Sequence, residues 1–194
     1  MKKIILIGVP NAGKSTLGRL LADVMKLPFY DTDTMTCDKL DIARPADLFR
    51  MALNGEFAEA QSRAMNEFAA LEGPAVISTG AEVALAPDCA CLLKKMGIVI
   101  HIRRNPEILL DYCRKHVKSG LVRIENDGTK TFMAEEAIGL YAQDISTYEA
   151  LADYSFENNG TQEEGLKKLI NLVNSAAACG VPILDRIKEK THKY

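Results

Sequence analysis

Residues Gly8 to Ser15 read GVPNAGKS: a glycine, four residues, then Gly-Lys-Ser, directly after the apolar run Ile4-Ile5-Leu6-Ile7. No other feature restricts the fold as much. A loop of this spacing converges backbone N–H groups on phosphate oxygens, and it needs a buried strand before it and a helix N-terminus after it. Both neighbours are present. The β-branched and leucine run suits a strand covered on both faces. Leu17, Leu20, Leu21 and Val24 then recur at helical spacing, which predicts an inward stripe on the following helix. The run Ile4 to Val9 is too short for a signal peptide or a membrane span.

The remaining chain alternates in the same way. Pro28-Phe29-Tyr30 predicts a strand ending at Asp31-Thr32-Asp33, Ala75 to Thr79 a strand stopped by Gly80, Ile98 to Ile102 a fourth and Tyr154-Ser155-Phe156 a fifth. Helices are expected over 45–53, 55–72 and Pro106 to about Lys118. A further one is expected over 131–151, with Ile138, Tyr141, Ile145 and Tyr148 on one face, and a last one around Leu166, Leu169, Ile170 and Val173. Such alternation implies an α/β fold with a parallel sheet between helical layers. Ligands of such sheets sit at the carboxyl ends of the strands. Gly8 to Ser15, Asp31, Asp33 and Gly80 are thereby gathered around one crevice.

Chemistry follows from that gathering. Gly8, Pro10, Asn11, Ala12, Gly13, Lys14, Ser15 and Thr16 are expected to cradle nucleotide phosphates. Lys14 brings a mobile positive charge to the β- and γ-phosphates and Ser15 a hydroxyl ligand for Mg²⁺. Asp31 and Asp33, two apart in an extended stretch, project to one side. One carboxylate, Asp31, suits the hydration shell of Mg²⁺, while Asp33 orients and deprotonates an acceptor hydroxyl. The structural alternative is a turn, or a helix capped by Asp33. Residues 115–130 (KHVKSGLVRIENDGTK) form a polar, glycine-containing insert, expected to be a lid over the crevice. His101 is expected to be a packed or hydrogen-bonded strand residue.

The bulk numbers narrow the partners. With 194 residues the chain suits one folded domain, taken as 1–175 with a C-terminal extension over 176–194. Its 24 basic and 26 acidic residues give a formal charge of −2, no footprint for nucleic acid or an anionic membrane. Cys37, Cys89, Cys91, Cys113 and Cys179 form neither a CxxC pair nor a zinc-spaced cluster, so free thiols in a reducing cytoplasm are expected. A small-molecule substrate and a monomer or homodimer are consistent with this.

With these residues placed, the sequence resembles the shikimate kinase family, of the nucleoside-monophosphate-kinase-like P-loop class. The likeness runs over most of 1–175. It rests on GVPNAGKSTLGRLLA, on Leu27 to Asp33 (LPFYDTD), on Gly55-Glu56, on Val76 to Gly80 (VISTG) and on Tyr148 to Asp153 (YEALAD). The resemblance implies a three-layer α/β/α sandwich whose five-stranded parallel sheet runs in the order 2-3-1-4-5. It also implies a closing lid and Mg-ATP-dependent phosphorylation of a ring hydroxyl.

The acceptor side departs from that family. Where members follow Gly-Glu with Phe-Arg, the arginine gripping the substrate carboxylate, this chain has Glu59 and Ala60, with Arg63 in place of a usual glutamate. The family's glycine triplet is Gly80-Ala81-Glu82, and its second carboxylate-binding arginine is Asp144. The lid's Gly-Arg-Pro-Leu reads Gly120-Leu121-Val122-Arg123, leaving Arg114, Lys118 or Arg123 to serve as the ATP-facing cation. A charge-assisted hydrogen bond contributes about 1.5–3 kcal/mol, so losing two arginines weakens carboxylate binding by about 10²- to 10⁴-fold. Glu59, Glu82 and Asp144 suit an ammonium group or a polyol, and Arg63 a carboxylate arriving from a new direction. The expected acceptor-binding set is Asp33, Arg63, Gly80 and Glu82. The expected activity is ATP-dependent phosphorylation of a small hydroxylated metabolite, such as a hydroxylated amino acid (homoserine or threonine) or a polyol. Two alternatives stand beside it: phosphorylation of shikimate itself, and a non-catalytic nucleotide-binding protein.

Overall fold

The computed structural model describes residues 2–42, 55–115, 122–124, 130–132 and 145–179. The opening apolar run forms β1 (Lys3–Ile7), buried at every position. It lies at the centre of a five-stranded sheet, hydrogen-bonded to β3 (Val76–Ser78) on one side and β4 (Gly97–Arg103) on the other. Outside these lie β2 (Phe29–Asp31) and β7 (Tyr154–Glu157), and every pairing in the sheet is parallel. The order β2-β3-β1-β4-β7 is the expected 2-3-1-4-5 once the hairpin strands β5 (Val122–Ile124) and β6 (Lys130–Phe132) are set aside. Hydrophobic continuity explains the order: the strands with unbroken apolar runs take the middle, where both faces are covered.

The helices are α1 (Lys14–Met25), α2 (Thr32–Leu40), α3 (Gly55–Ala70), α4 (Pro87–Met96), α5 (Pro106–Lys115), α6 (Ile145–Leu151) and α7 (Gln162–Ala178). Helix α1 buries Leu17, Gly18, Leu21 and Ala22, whereas Val24 is 39% exposed, so the inward stripe is displaced from the predicted one. The reason is Gly18: a Cβ there would lie 2.7 Å from the Phe29 ring, so the helix backbone sits close against β2 and turns its smallest face inward. Helix α7 opens on a reciprocal cap between Thr161 and Glu164 and buries Leu169, Val173 and Ala176.

Several expected elements are changed. Helix α2 and helix α4 occupy stretches for which no helix was predicted. Residues 130–132 are strand, paired antiparallel with 122–124, where the start of a long helix was expected; its described part is α6 alone. The hairpin falls within and beside the expected lid. The remainder of that lid, the helix expected over 45–53, and the chain beyond 179 lie outside the described residues. Among the described residues no helix is long and apolar enough to cross a membrane. Cys37, Cys89, Cys91 and Cys179 are free thiols.

The central pairing leaves no slack. Gly97 faces Lys3 across the β1–β4 ladder, and a Cβ there would meet the Lys3 carbonyl oxygen at 1.9 Å. Gly97→Ala is expected to destabilise the fold by about 3 kcal/mol, read as a lower urea midpoint at unchanged slope.

Candidate active site

The loop between β1 and α1 is built from residues that accept its turns. Gly13, immediately before α1, has φ 99°, and Gly8 has φ 142° with its Cα pressed toward the Ile102 carbonyl, where a Cβ would stand 2.5 Å from the oxygen. Helix α1 carries no side-chain cap and no acid in its first turn. Its first N–H groups therefore remain disposed to an anion, in contrast to α2 and α7, which are capped by Asp31 and Thr161.

Two long-range contacts hold this loop from behind. Arg104 donates through Nη1 to the Asn11 carbonyl at 3.0 Å, and buried Asn158 donates through Nδ2 to the Ala12 carbonyl at 2.8 Å. Neither residue stood out in the sequence. Both lie at the ends of strands β4 and β7, so only the sheet topology brings them to residues 11 and 12.

Lys14 is 8% exposed and donates to the Gly8 and Val9 carbonyls at 2.8 and 2.9 Å. The ammonium is thus folded onto its own loop. Burial lowers its pKa, while Asp33, Asp31 and Glu82 support the charged form. These four residues come from four separate segments and share one field. Ser15 Oγ donates to Asp31 Oδ2 at 2.7 Å and lies 3.1 Å from Ser78 Oγ, at the ends of β2 and β3. A serine hydroxyl and a carboxylate side by side at the head of α1 are hard oxygen donors that fit Mg²⁺.

The Asp-x-Asp pair is arranged differently from expectation. Asp31 is extended and is itself the cap of α2: its Oδ1 accepts from the Asp33 N–H at 3.1 Å and the Thr34 N–H at 3.5 Å. Asp33 is helical, in the first turn, so the two side chains are not fellows on one strand face. Asp33 still reaches the crevice. Its Oδ1 would lie 2.2 Å from a Cβ on Gly80, with Glu82 Oε2 at 3.5 Å from the same point. Gly80 itself donates its N–H to Thr32 Oγ1 at 2.8 Å. Only a glycine lets the loop after β3 approach the carboxylate this closely. Burial chiefly, then Asp31 and to a lesser degree Glu82, raise the Asp33 pKa to about 7, opposed by Lys14.

Other expected residues fall elsewhere. Arg63 pairs with Glu59 one turn away on α3, both well exposed, and none of the described contacts joins either to Asp33 or Glu82. Asp144 and Lys118 lie outside the described residues, as do the side chains of Arg114 and Arg123. His101 is packed as expected, 2% exposed and stacked on Tyr148.

The comparisons with known proteins agree with this geometry. The family model described as shikimate kinase matches residues 10–174. The chain belongs to the shikimate kinase family. A shikimate kinase of Francisella tularensis subsp. holarctica is 31% identical over 178 residues, covering 90% of this chain and 93% of that enzyme. A shikimate kinase from Acinetobacter baumannii, solved in complex with shikimate, superposes with a TM-score of 0.75 at 24% identity, covering 90% of this chain and 94% of that one. A gluconokinase from Sinorhizobium meliloti 1021 follows at a TM-score of 0.61 and 17% identity, covering 92% and 95%. These two likenesses speak to the fold. As a family member the chain is an ATP-dependent phosphotransferase acting on a hydroxyl group of a small molecule.

The raised Asp33 pKa has a consequence for stability. The folded state holds this proton up to about pH 7 and the unfolded chain releases it near pH 4, so Asp33 costs stability as pH rises through that window. Without nucleotide or metal, Asp33→Asn is expected to raise Tm by a few degrees at pH 8, about 1–2 kcal/mol, and hardly at all at pH 4. Thermal scans of both proteins across that range check the sign.

Proposed function

We propose that the chain transfers the γ-phosphate of Mg-ATP to a hydroxyl of a small acceptor held at Asp33. The observation that carries this reading is the placement of the Asp33 carboxylate against the Gly80 backbone, in the same field as Lys14 and beside the Ser15–Asp31 pair. In this reading residues 8–16 hold the phosphates, and Lys14 exchanges the Gly8 and Val9 carbonyls for phosphate oxygens. Ser15 and, through water, Asp31 would hold Mg²⁺, which supplies charge neutralisation on the phosphate oxygens when bound. Asp33 accepts the proton of the acceptor hydroxyl as its oxygen bonds to the γ-phosphorus. The bond to the β,γ-bridging oxygen breaks and ADP leaves. A carboxylate with a pKa near 7 is well matched to that proton transfer at neutral pH. Closure of 115–130 over the site would exclude water and limit ATP hydrolysis.

The names of the relatives make shikimate the first acceptor to test. A second reading, favoured by Glu82, is a neutral or ammonium-bearing acceptor: a polyol, or a hydroxylated amino acid. Glu82 stands beside Gly80 and adds a carboxylate to a pocket wall that already carries Asp33 and Asp31. Each repels an acceptor carboxylate. Arg63 in this second reading would leave its partner Glu59 to take the acid group of an amino acid.

One panel separates the readings. Purified chain, Mg-ATP and shikimate, homoserine, threonine or a neutral polyol are compared for ADP release and phosphorylated product. Saturation by shikimate at sub-millimolar concentration establishes the first reading; preference for the others establishes the second. If no acceptor is phosphorylated while ATP binds tightly, a nucleotide-binding protein without transfer remains. With the active acceptor, Asp33→Asn is expected to lower kcat by about 10²-fold or more while ATP affinity stays within about threefold. In wild type the acid limb of kcat/KM is expected near pH 7.

A further inference from the structure

Tyr148 is wholly buried, and its hydroxyl donates to the Ala81 carbonyl at 3.0 Å. Ala81 lies between Gly80, against which the Asp33 carboxylate is pressed, and Glu82, the third carboxylate around Lys14. The bond therefore fixes the short loop that carries the acceptor-side groups. It spans 67 positions in sequence, and it stands beside the bond from the Gly80 N–H to Thr32 Oγ1.

The tyrosine ring is linked to the phosphate loop through His101. Its ring stacks on His101, with centroids 5.2 Å apart and an interplanar angle of 27°. His101 pairs with Ile7 in the β1–β4 ladder, and its Cδ2 would lie 3.4 Å from a Cβ on Gly8. The Gly8 carbonyl is one of the two that hold Lys14. His101 Nδ1 has no hydrogen-bond partner among the described residues, so this ring contributes a packing surface. Burial, with Arg103 and Lys14 nearby, keeps it neutral, its pKa lowered to about 4. A neutral ring lies flat against a phenol at no electrostatic cost, and beneath Lys14 it adds no competing charge.

A continuous packed path thus runs from Gly8 through His101, Tyr148 and Ala81 to Gly80 and Glu82. We infer that Tyr148 is a positioning residue for the acceptor, its hydroxyl and its stack on His101 setting the distance between the Gly80–Glu82 loop and the phosphate loop. Phosphoryl transfer is sensitive to that distance, because misplacement by about 1 Å can cost two orders of magnitude in rate. In this role the tyrosine needs no contact with either reactant. Its effect passes through backbone, and it falls on the acceptor side because the Ala81 carbonyl is what it holds.

The inference rests on the phosphotransfer reading, and the test keeps the two apart. Tyr148→Phe retains the ring and the stack and deletes only the hydroxyl. With the acceptor found active for wild type, this variant is expected to raise acceptor KM or lower kcat by about tenfold, with ATP KM within twofold. Hydrogen exchange is read in parallel without any substrate. The Gly80 and Leu85 amides, bonded to Thr32 and Glu82, should lose protection while Ile4 in β1 keeps its own. His101→Leu, which removes the stack, should act in the same direction and serves if Tyr148→Phe does not fold. Unchanged acceptor kinetics, or ATP and acceptor constants that worsen together with exchange rising across the sheet, would reduce Tyr148 to packing and overturn the inference. Failure of wild type to phosphorylate any acceptor would instead overturn the phosphotransfer reading, and the acceptor role of Tyr148 with it.

Discussion

The arrangement depends on one buried ammonium. Taking a lysine charge out of water costs several kcal/mol unless its donors are met and opposite charge is close. Lys14 meets both conditions, with two loop carbonyls as acceptors and Asp31, Asp33 and Glu82 as the surrounding charge. These come from three different strand ends. The carbonyls follow β1, the aspartates end β2 and begin α2, and Glu82 follows β3. The sheet order 2-3-1 is what brings three consecutive carboxyl ends together, and the sheet can take that order only because its central strands are apolar on both faces. Core and site are therefore one problem. The hydrophobic runs choose the neighbours, and the neighbours supply the charges.

Much of this was legible in the sequence because local signals agreed with the global answer. Strand, glycine loop and helix specify one another at residues 3–25, and the other strands of the main sheet are short apolar runs closed by Gly, Asp or Asn. What escaped reading has physical causes. Helix α2 carries threonines at 32, 34 and 36, an alternation that suggests extended chain; the Asp31 cap and packing against α3 override it. In α4 the buried Cys89, Leu93 and Met96 do recur at helical spacing behind Pro87, but three buried apolar positions in ten residues make a weak stripe. Arg104, Asn158 and Tyr148 were illegible for a different reason. Each acts on a backbone carbonyl 67 or more positions away, and nothing in its local context marks the target.

The acceptor side illustrates the limit of motif logic. Glu82 replaces a glycine, which by spacing alone predicts interference with a close backbone approach. The structure resolves this without a clash, because the close approach belongs to Gly80 and the Glu82 carboxylate stands to one side of it. The substitution changes charge rather than shape. In the reading that Glu82 favours, added negative charge beside Asp33 would sort acceptors by their charge first and their stereochemistry second, since Coulomb terms reach further than contacts.

In the phosphotransfer reading, nucleotide and metal act on this balance with opposite signs. Lys14 pulls the Asp33 pKa down, against burial and the two other acids. When the ammonium turns from the Gly8 and Val9 carbonyls to a triphosphate, that pull is shared with phosphate oxygens, and Asp33 becomes a stronger base. A cation beside Ser15 and Asp31 works the other way, offsetting the Asp31 charge that raises Asp33. The two changes oppose each other, so the proton affinity of Asp33 reports on both the phosphate and the cation beside it. Proton acceptance and phosphate binding are coupled through Lys14.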